Sequence, residues 1–156
     1  MNDELDRQLC KKYPKIFRDR CASYLVTCMS FGFEHRDGWF NIIDALCANI
    51  QSHVNSKRFD FKDLSDEEFD EKYQTVAAQV KEKFGSLRFY ADNCDEHSRG
   101  AISMAESISA RTCEKCGSPG KLRAGGWLVT LCDGCDAERK ITRVTVPETT
   151  DKTNGG

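Results

Sequence analysis

With 156 residues, 39% of them hydrophobic and 31% charged, the chain can hold one ordinary core plus a small appended unit, and its longest apolar runs fall far short of a bilayer span. A formal net charge of −2 speaks against a protein whose main work is to coat nucleic acid, because phosphate neutralisation draws on a basic surface. The acidic opening Met1-Asn-Asp-Glu-Leu-Asp has no apolar signal segment, and nine cysteines in such a chain fit a reducing compartment, so a cytoplasmic location without membrane contact is expected.

Leu5 and Leu9 stand one helical turn apart among charges, which predicts a short helix over 2–12, closed by Tyr13-Pro14. Residues 18–33 are mixed and read as irregular or helical. Cys10, Cys21, Cys28 and Cys47 lie in apolar surroundings and are expected to pack as small core residues. Asp37 is placed to cap a helix over 38–55, whose Trp39, Ile43, Leu46, Cys47, Ile50 and Val54 form one apolar stripe. Residues 57–64 read as a loop with a short extended piece. Ser65-Asp-Glu-Glu68 then fits a capping box. Phe69, Tyr73, Val76, Ala77, Val80 and Phe84 continue from it at helical spacing, which predicts one long helix ending at Gly85. Ser86–Tyr90 alternates as a half-buried strand, and 96–111 reads as a third long helix.

The strongest signal follows. Cys113-Glu-Lys-Cys116 and Cys132-Asp-Gly-Cys135 are two C-x-x-C pairs separated by fifteen residues. Each pair turns two thiolates toward one point, and two pairs joined by a hairpin close a tetrahedral shell, so Cys113, Cys116, Cys132 and Cys135 are expected to hold one structural Zn2+ ion. Four thiolates leave no position for water, which catalytic zinc needs. Gly125-Gly126 predicts a two-residue hairpin turn between the pairs. The unit reads as a zinc ribbon, or as a treble clef if the charged stretch after Cys135 is helical. The expected fold is therefore α+β: a mainly helical body over 1–111 with a short strand, a zinc-binding β-hairpin module over 112–143, and a disordered tail over 144–156.

Other constellations are weaker. Cys94 and His97 share a C-x-x-H spacing and with His35 or His53 would make a second metal site, although a polar loop and helix start explain them better. Phosphate-binding glycine loops, G-x-S-x-G and H-E-x-x-H are absent from the sequence, so no catalytic residue is assigned. An enzyme site assembled from distant residues such as His35, His53 or Glu71 remains the lesser alternative. The stretch 113–143 carries six cations against four acids, and with Trp127 this is compatible with weak nucleic-acid contact. Residues 60–71 carry seven acids and one lysine, read as helix capping and solubility.

Val80-Lys-Glu-Lys-Phe-Gly-Ser-Leu-Arg-Phe-Tyr90, taken with Asp37–Leu46, Ser103-Met-Ala-Glu-Ser107 and the Gly126–Cys132 hairpin, resembles small, mostly uncharacterised proteins encoded by bacteriophages and prophages, over about residues 10–136. The resemblance implies an accessory factor that binds and inhibits or redirects a host protein, for instance a component of antiviral defence, in the cytoplasm of a bacterial host cell. The sequence is thus read as a non-enzymatic, zinc-stabilised protein-interaction factor, with a nucleic-acid-binding zinc ribbon in transcription or replication as the alternative.

Overall fold

The computed structural model of the protein describes residues 1–145. The expected disordered tail lies outside the described residues except for its first two positions, which end a helix. Helix α1 (Asp3–Lys12) is capped by Asn2, whose side chain accepts from the Glu4 and Leu5 amides, with acids in the first turn and Lys11 and Lys12 in the last. Surface turns and a 3-10 turn at Cys28–Phe31 lead to strand β1 (Phe33–Glu34), and a 3-10 turn at Asp37–Trp39 leads into helix α2 (Phe40–Lys57). The expected stripe of α2 is buried, with Trp39 fully enclosed. Asp37 does not cap the helix. Its carboxylate accepts from the Asn2 amide and side chain at 2.7 and 2.9 Å and ties the start of α1 to that of α2.

The long helix expected to end at Gly85 is two elements. The capping box forms, with Ser65 and Glu68 satisfying each other's backbone, but helix α3 (Asp66–Tyr73) stops before an extended Gln74. Strand β2 (Val76–Lys83) then pairs antiparallel with strand β3 (Ser86–Asp92). The register slips between Ala77 and Gln79, so Ala78 is an extra residue in β2. This bulge places Val76, Ala77 and Val80 inside together and turns the two-residue alternation of a strand into the three-residue spacing of a helix. Gly85 is the second residue of a tight hairpin turn rather than a helix cap: Phe84 and Gly85 both have positive φ, 56° and 81°.

β1 joins β2 in parallel, giving a three-stranded sheet in the order β1-β2-β3. The body is therefore mainly helical as expected, but its helices pack against a three-stranded sheet where one short strand was expected. Helix α4 (Glu96–Ser109), capped by Asp95, packs on α2 and along β3. Its side chains close the open edge of the sheet: Ser109 Oγ accepts from the Leu87 amide at 2.8 Å and Glu106 from the Phe89 amide at 3.1 Å. Between the layers lie Leu9, Ile16, Met29, Trp39, Ile43, Ile50, Phe69, Val80 and Leu87. Of the four cysteines expected in this core, only Cys47 is fully buried. Cys10 is half-buried, and Cys21 and Cys28 are exposed, because residues 18–31 run over the surface with Tyr24, Leu25, Val26 and Phe31 also outside.

His35 lies at the centre of this arrangement, only 6% exposed, with its ring against Phe33 and Trp39. Burial pushes its pKa down from 6.5 to about 4, although Nδ1 bonds the Arg36 carbonyl. Between these two values the unfolded chain binds a proton that the folded one refuses, so stability falls as pH drops through that window. His35→Phe is expected to lose roughly 3 kcal/mol less than the wild type between neutral pH and pH ~4. Urea unfolding of both proteins across that range checks it, and parallel pH profiles would refute it.

Candidate metal centre

The first C-x-x-C pair sits in a turn closed by its own backbone. The Gly117 amide donates to the Cys113 carbonyl at 2.9 Å, the Cys113 amide donates to the Ser118 carbonyl at 2.7 Å, and Gly117 takes a φ of 78°. Strand β4 (Lys121–Arg123) then pairs antiparallel with strand β5 (Val129–Leu131). The connection is the five residues 124–128 rather than a two-residue turn, and Gly125 and Gly126 supply its positive φ. β5 delivers Cys132, and helix α5 (Asp133–Thr145) begins inside the second pair, so the charged stretch after Cys135 is helical. The Cys135 amide donates to Cys132 Sγ at 3.4 Å.

The four thiols come together as expected. All four Sγ atoms lie within 4.8 Å of one another, and Cys116 and Cys132 are 3.8 Å apart. A tetrahedron with metal–sulfur bonds of ~2.3 Å has edges of ~3.8 Å, so the donor set fits a metal ion. Cys113 is buried, Cys132 and Cys135 are half-buried and Cys116 faces outward. Hydrogen bonds from Ser118 lower the Cys116 thiol to about 6, while burial and then the neighbouring sulfurs push Cys135 up. Four sulfurs this close cannot ionise together without a cation between them.

Ion pairs hold the frame around the sulfurs. Lys115 in the first turn pairs with Glu138 of α5. Arg123 reaches across the hairpin to the Leu131 carbonyl and Asp133, and Asp136, nearly buried, receives Arg139 and Lys140 at 2.9 Å. Two of the basic residues expected to offer a nucleic-acid face, Lys121 and Arg123, share Asp133.

The sequence gives little sign of how this unit meets the body. The Gly38 amide donates to the Glu114 carbonyl at 2.8 Å, Trp39 Nε1 to the Thr112 carbonyl at 2.9 Å, and Thr130 Oγ1 to the Gly85 carbonyl at 2.6 Å. Gly38 is needed for this closeness, whereas Gly85 is needed for its positive φ of 81°. A Cβ on Gly38 would lie 2.2 Å from the Cys113 carbonyl oxygen and 2.5 Å from the Gly117 nitrogen, and one on Gly85 would lie 2.4 Å from Leu122 Cδ1. Residues 1–111 and 112–143 are therefore packed against each other around Gly38–Trp39 and at Gly85.

Residues weighed for a second metal site do not gather. His53 and His97 stack with ring centroids 4.1 Å apart, but their Nε2 atoms turn to Asp95 and Asn49 respectively. Cys94 Sγ faces the Ala91 carbonyl, and His35 is enclosed elsewhere. Among the described residues, the four cysteines are the one group placed to hold a metal ion.

A second feature arises where the two hairpin tips meet. Lys81, Glu82, Lys83 and Phe84 face Gly126, Trp127 and Leu128 across a cleft of about 500 Å³. Phe84 and Trp127 are each 67% exposed, and Trp127 Nε1 donates to Glu82 at 3.1 Å, strapping the tips together. No helix among the described residues is long and apolar enough to cross a membrane. The chain matches no family model, no curated protein and no solved structure at a significant level.

Proposed function

We propose that the protein is a non-enzymatic interaction factor in which one structural Zn2+ ion, bound by Cys113, Cys116, Cys132 and Cys135, holds a binding face for another protein. An all-thiolate tetrahedral donor set favours zinc over harder cations, and the order of hairpin then helix is that of a treble clef. The observation that carries the proposal is the apolar cleft between the hairpin tips, with Phe84, Trp127 and Leu128 open to solvent beside a closed metal shell. Exposed aromatics gathered on a rigid support mark interaction surfaces. The resemblance to phage and prophage proteins makes a host protein, such as an antiviral defence component, the proposed partner. Nucleic acid is the less favoured partner, because Lys121 and Arg123 are already paired with Asp133.

Affinity purification from bacterial lysate tests this. A specific host protein is expected to be retained by the wild-type chain and lost from a Phe84→Ala/Trp127→Ala variant of unchanged thermal stability. Recovery of the same proteins by both, or of none, would remove the proposal.

A further inference from the structure

We propose that the cleft takes an acidic protein segment, which inserts one large apolar side chain between Phe84 and Trp127 and lays its carboxylates against Lys81, Lys83 and Arg88. This rests on the hairpin tips being a binding face and adds the chemistry of the partner. The floor of the cleft is apolar, formed by Phe84, Trp127 and Leu128, and is large enough for one bulky side chain. Its walls carry Lys81 and Lys83, and Arg88 stands next to the cleft opposite Lys81, with one guanidinium nitrogen donating to Ser86 Oγ at 2.7 Å and the Leu87 carbonyl at 2.6 Å. Lys115, Lys121, Arg123, Arg139 and Lys140 all have carboxylate partners within the metal-binding unit. Among the described residues, no carboxylate pairs with Lys81, Lys83 or Arg88.

The strand register explains why these three act together. Lys81 stands opposite Arg88, and Lys83 opposite Ser86, so they share one face of the β2–β3 hairpin. Tyr90 shares that face, and the Lys81 ammonium lies 5.5 Å from its ring centre, while that of Lys83 lies 5.4 Å from the Phe84 ring centre. The acid in the cleft does not oppose this. Glu82 belongs to the other face, and its two oxygens are taken by the Gly85 amide at 2.6 Å and Trp127 Nε1 at 3.1 Å. An occupant therefore meets unpaired cations and an apolar floor, the complement of an acidic segment with one aromatic or aliphatic anchor. A polyanion such as single-stranded nucleic acid satisfies the same local features, but it approaches a chain of net charge −2 that carries seven acids over residues 60–71.

The test uses the full zinc-loaded chain and short synthetic peptides. One is built of Asp, Glu and Gly with a single central Phe. A second replaces that Phe by Ala, and a third replaces the acids by Lys. Binding is read by calorimetry and by the emission of Trp127, the exposed member of two tryptophans, since Trp39 is enclosed. The acidic Phe peptide is expected to bind and shift Trp127 emission to the blue. The Ala peptide is expected to bind at least about tenfold more weakly, from the lost apolar burial. Lys81→Glu/Lys83→Glu, both at surface positions, is expected to weaken the Phe peptide by about tenfold or more without lowering thermal stability. Failure of the acidic Phe peptide to bind, or equal binding of the lysine peptide, overturns the acidic partner. The binding face itself then survives if a lysate protein is still lost with Phe84→Ala/Trp127→Ala, and falls with it otherwise. Tighter binding of a single-stranded oligonucleotide that is lost in the lysine variant overturns the proposal in favour of nucleic acid.

Discussion

The wild-type chain is expected to carry one metal ion, and Cys113→Ser to abolish that binding and to unfold the C-terminal module as a unit. The module is a three-residue strand pair, two turns and α5, and its cluster of buried apolar residues is only Cys113, Val129 and Leu131. So small a cluster buries too little apolar surface to hold the module by itself. A bound metal would couple its own binding free energy, on the order of 10 kcal/mol for structural four-ligand zinc sites, to the folding of the module. The effect will reach the body, because Trp39 Nε1 donates to the Thr112 carbonyl one residue before the first ligand. Trp39 is fully enclosed and Trp127 is already open, so a red shift in emission on metal loss reports Trp39. Metal analysis, tryptophan emission and far-UV circular dichroism of both proteins check this together. A serine variant that keeps one metal per chain, or loses it with unchanged Trp39 emission, contradicts the expectation.

Gly38→Ala is expected to cost about 1–3 kcal/mol, as for an overpacked core, although it adds one methyl at a site the sequence presents as an ordinary helix start. The added Cβ meets the Cys113 carbonyl, the Gly117 amide nitrogen and the Glu114 carbonyl, all of them backbone. Flexible side chains could move aside, but this backbone is held by the turn in which the Gly117 amide donates to Cys113 and the Cys113 amide to Ser118. Either the module lifts off the body or the start of α2 shifts, and both strain the Gly38–Glu114 and Trp39–Thr112 bonds. For a chain of this length each kcal/mol lowers the melting temperature by about 2–4 °C. Thermal unfolding of the metal-loaded variant measures the loss, and Gly134→Ala, at a position with open space, is the control. Equal melting temperatures for the two variants would show that the contact carries no weight.

The elements that were legible in the sequence are those specified by local chemistry. The α2 stripe, the Ser65–Glu68 capping box, the Ser86–Tyr90 strand and the four-sulfur site each depend on residues a few positions apart or on ligand types with one dominant use. The stretch 76–84 was not legible, because the Ala78 bulge gives a strand the apolar spacing of a helix, and only the partner strand β3 resolves the ambiguity. β1 could not be foreseen either, since two residues have no periodicity and their strand character comes from pairing with Val80 and Lys81. Asp37 looked like a cap because the candidate amides lay next to it in sequence, but Asn2, thirty-five residues away, lies closer in space.

By itself the sequence determined the metal-ligand set, since cysteine pairs at this spacing converge whatever else the chain does. It also determined most of the helices and the mixed character of the fold. Tertiary structure alone decided how the halves join and where a surface was left open. Gly38 matters because of backbone brought against it from the far end of the chain, which no local pattern records. Lys81, Lys83 and Arg88 differ from the cations of the C-terminal module in forming no ion pair among the described residues, since Glu34 and Glu82, their neighbours, bond Gln79 and Trp127 instead, and that is a property of the folded surface. The four-cysteine site is written in four letters and their spacing, whereas the cleft exists only once two hairpin tips, about forty residues apart, are set side by side.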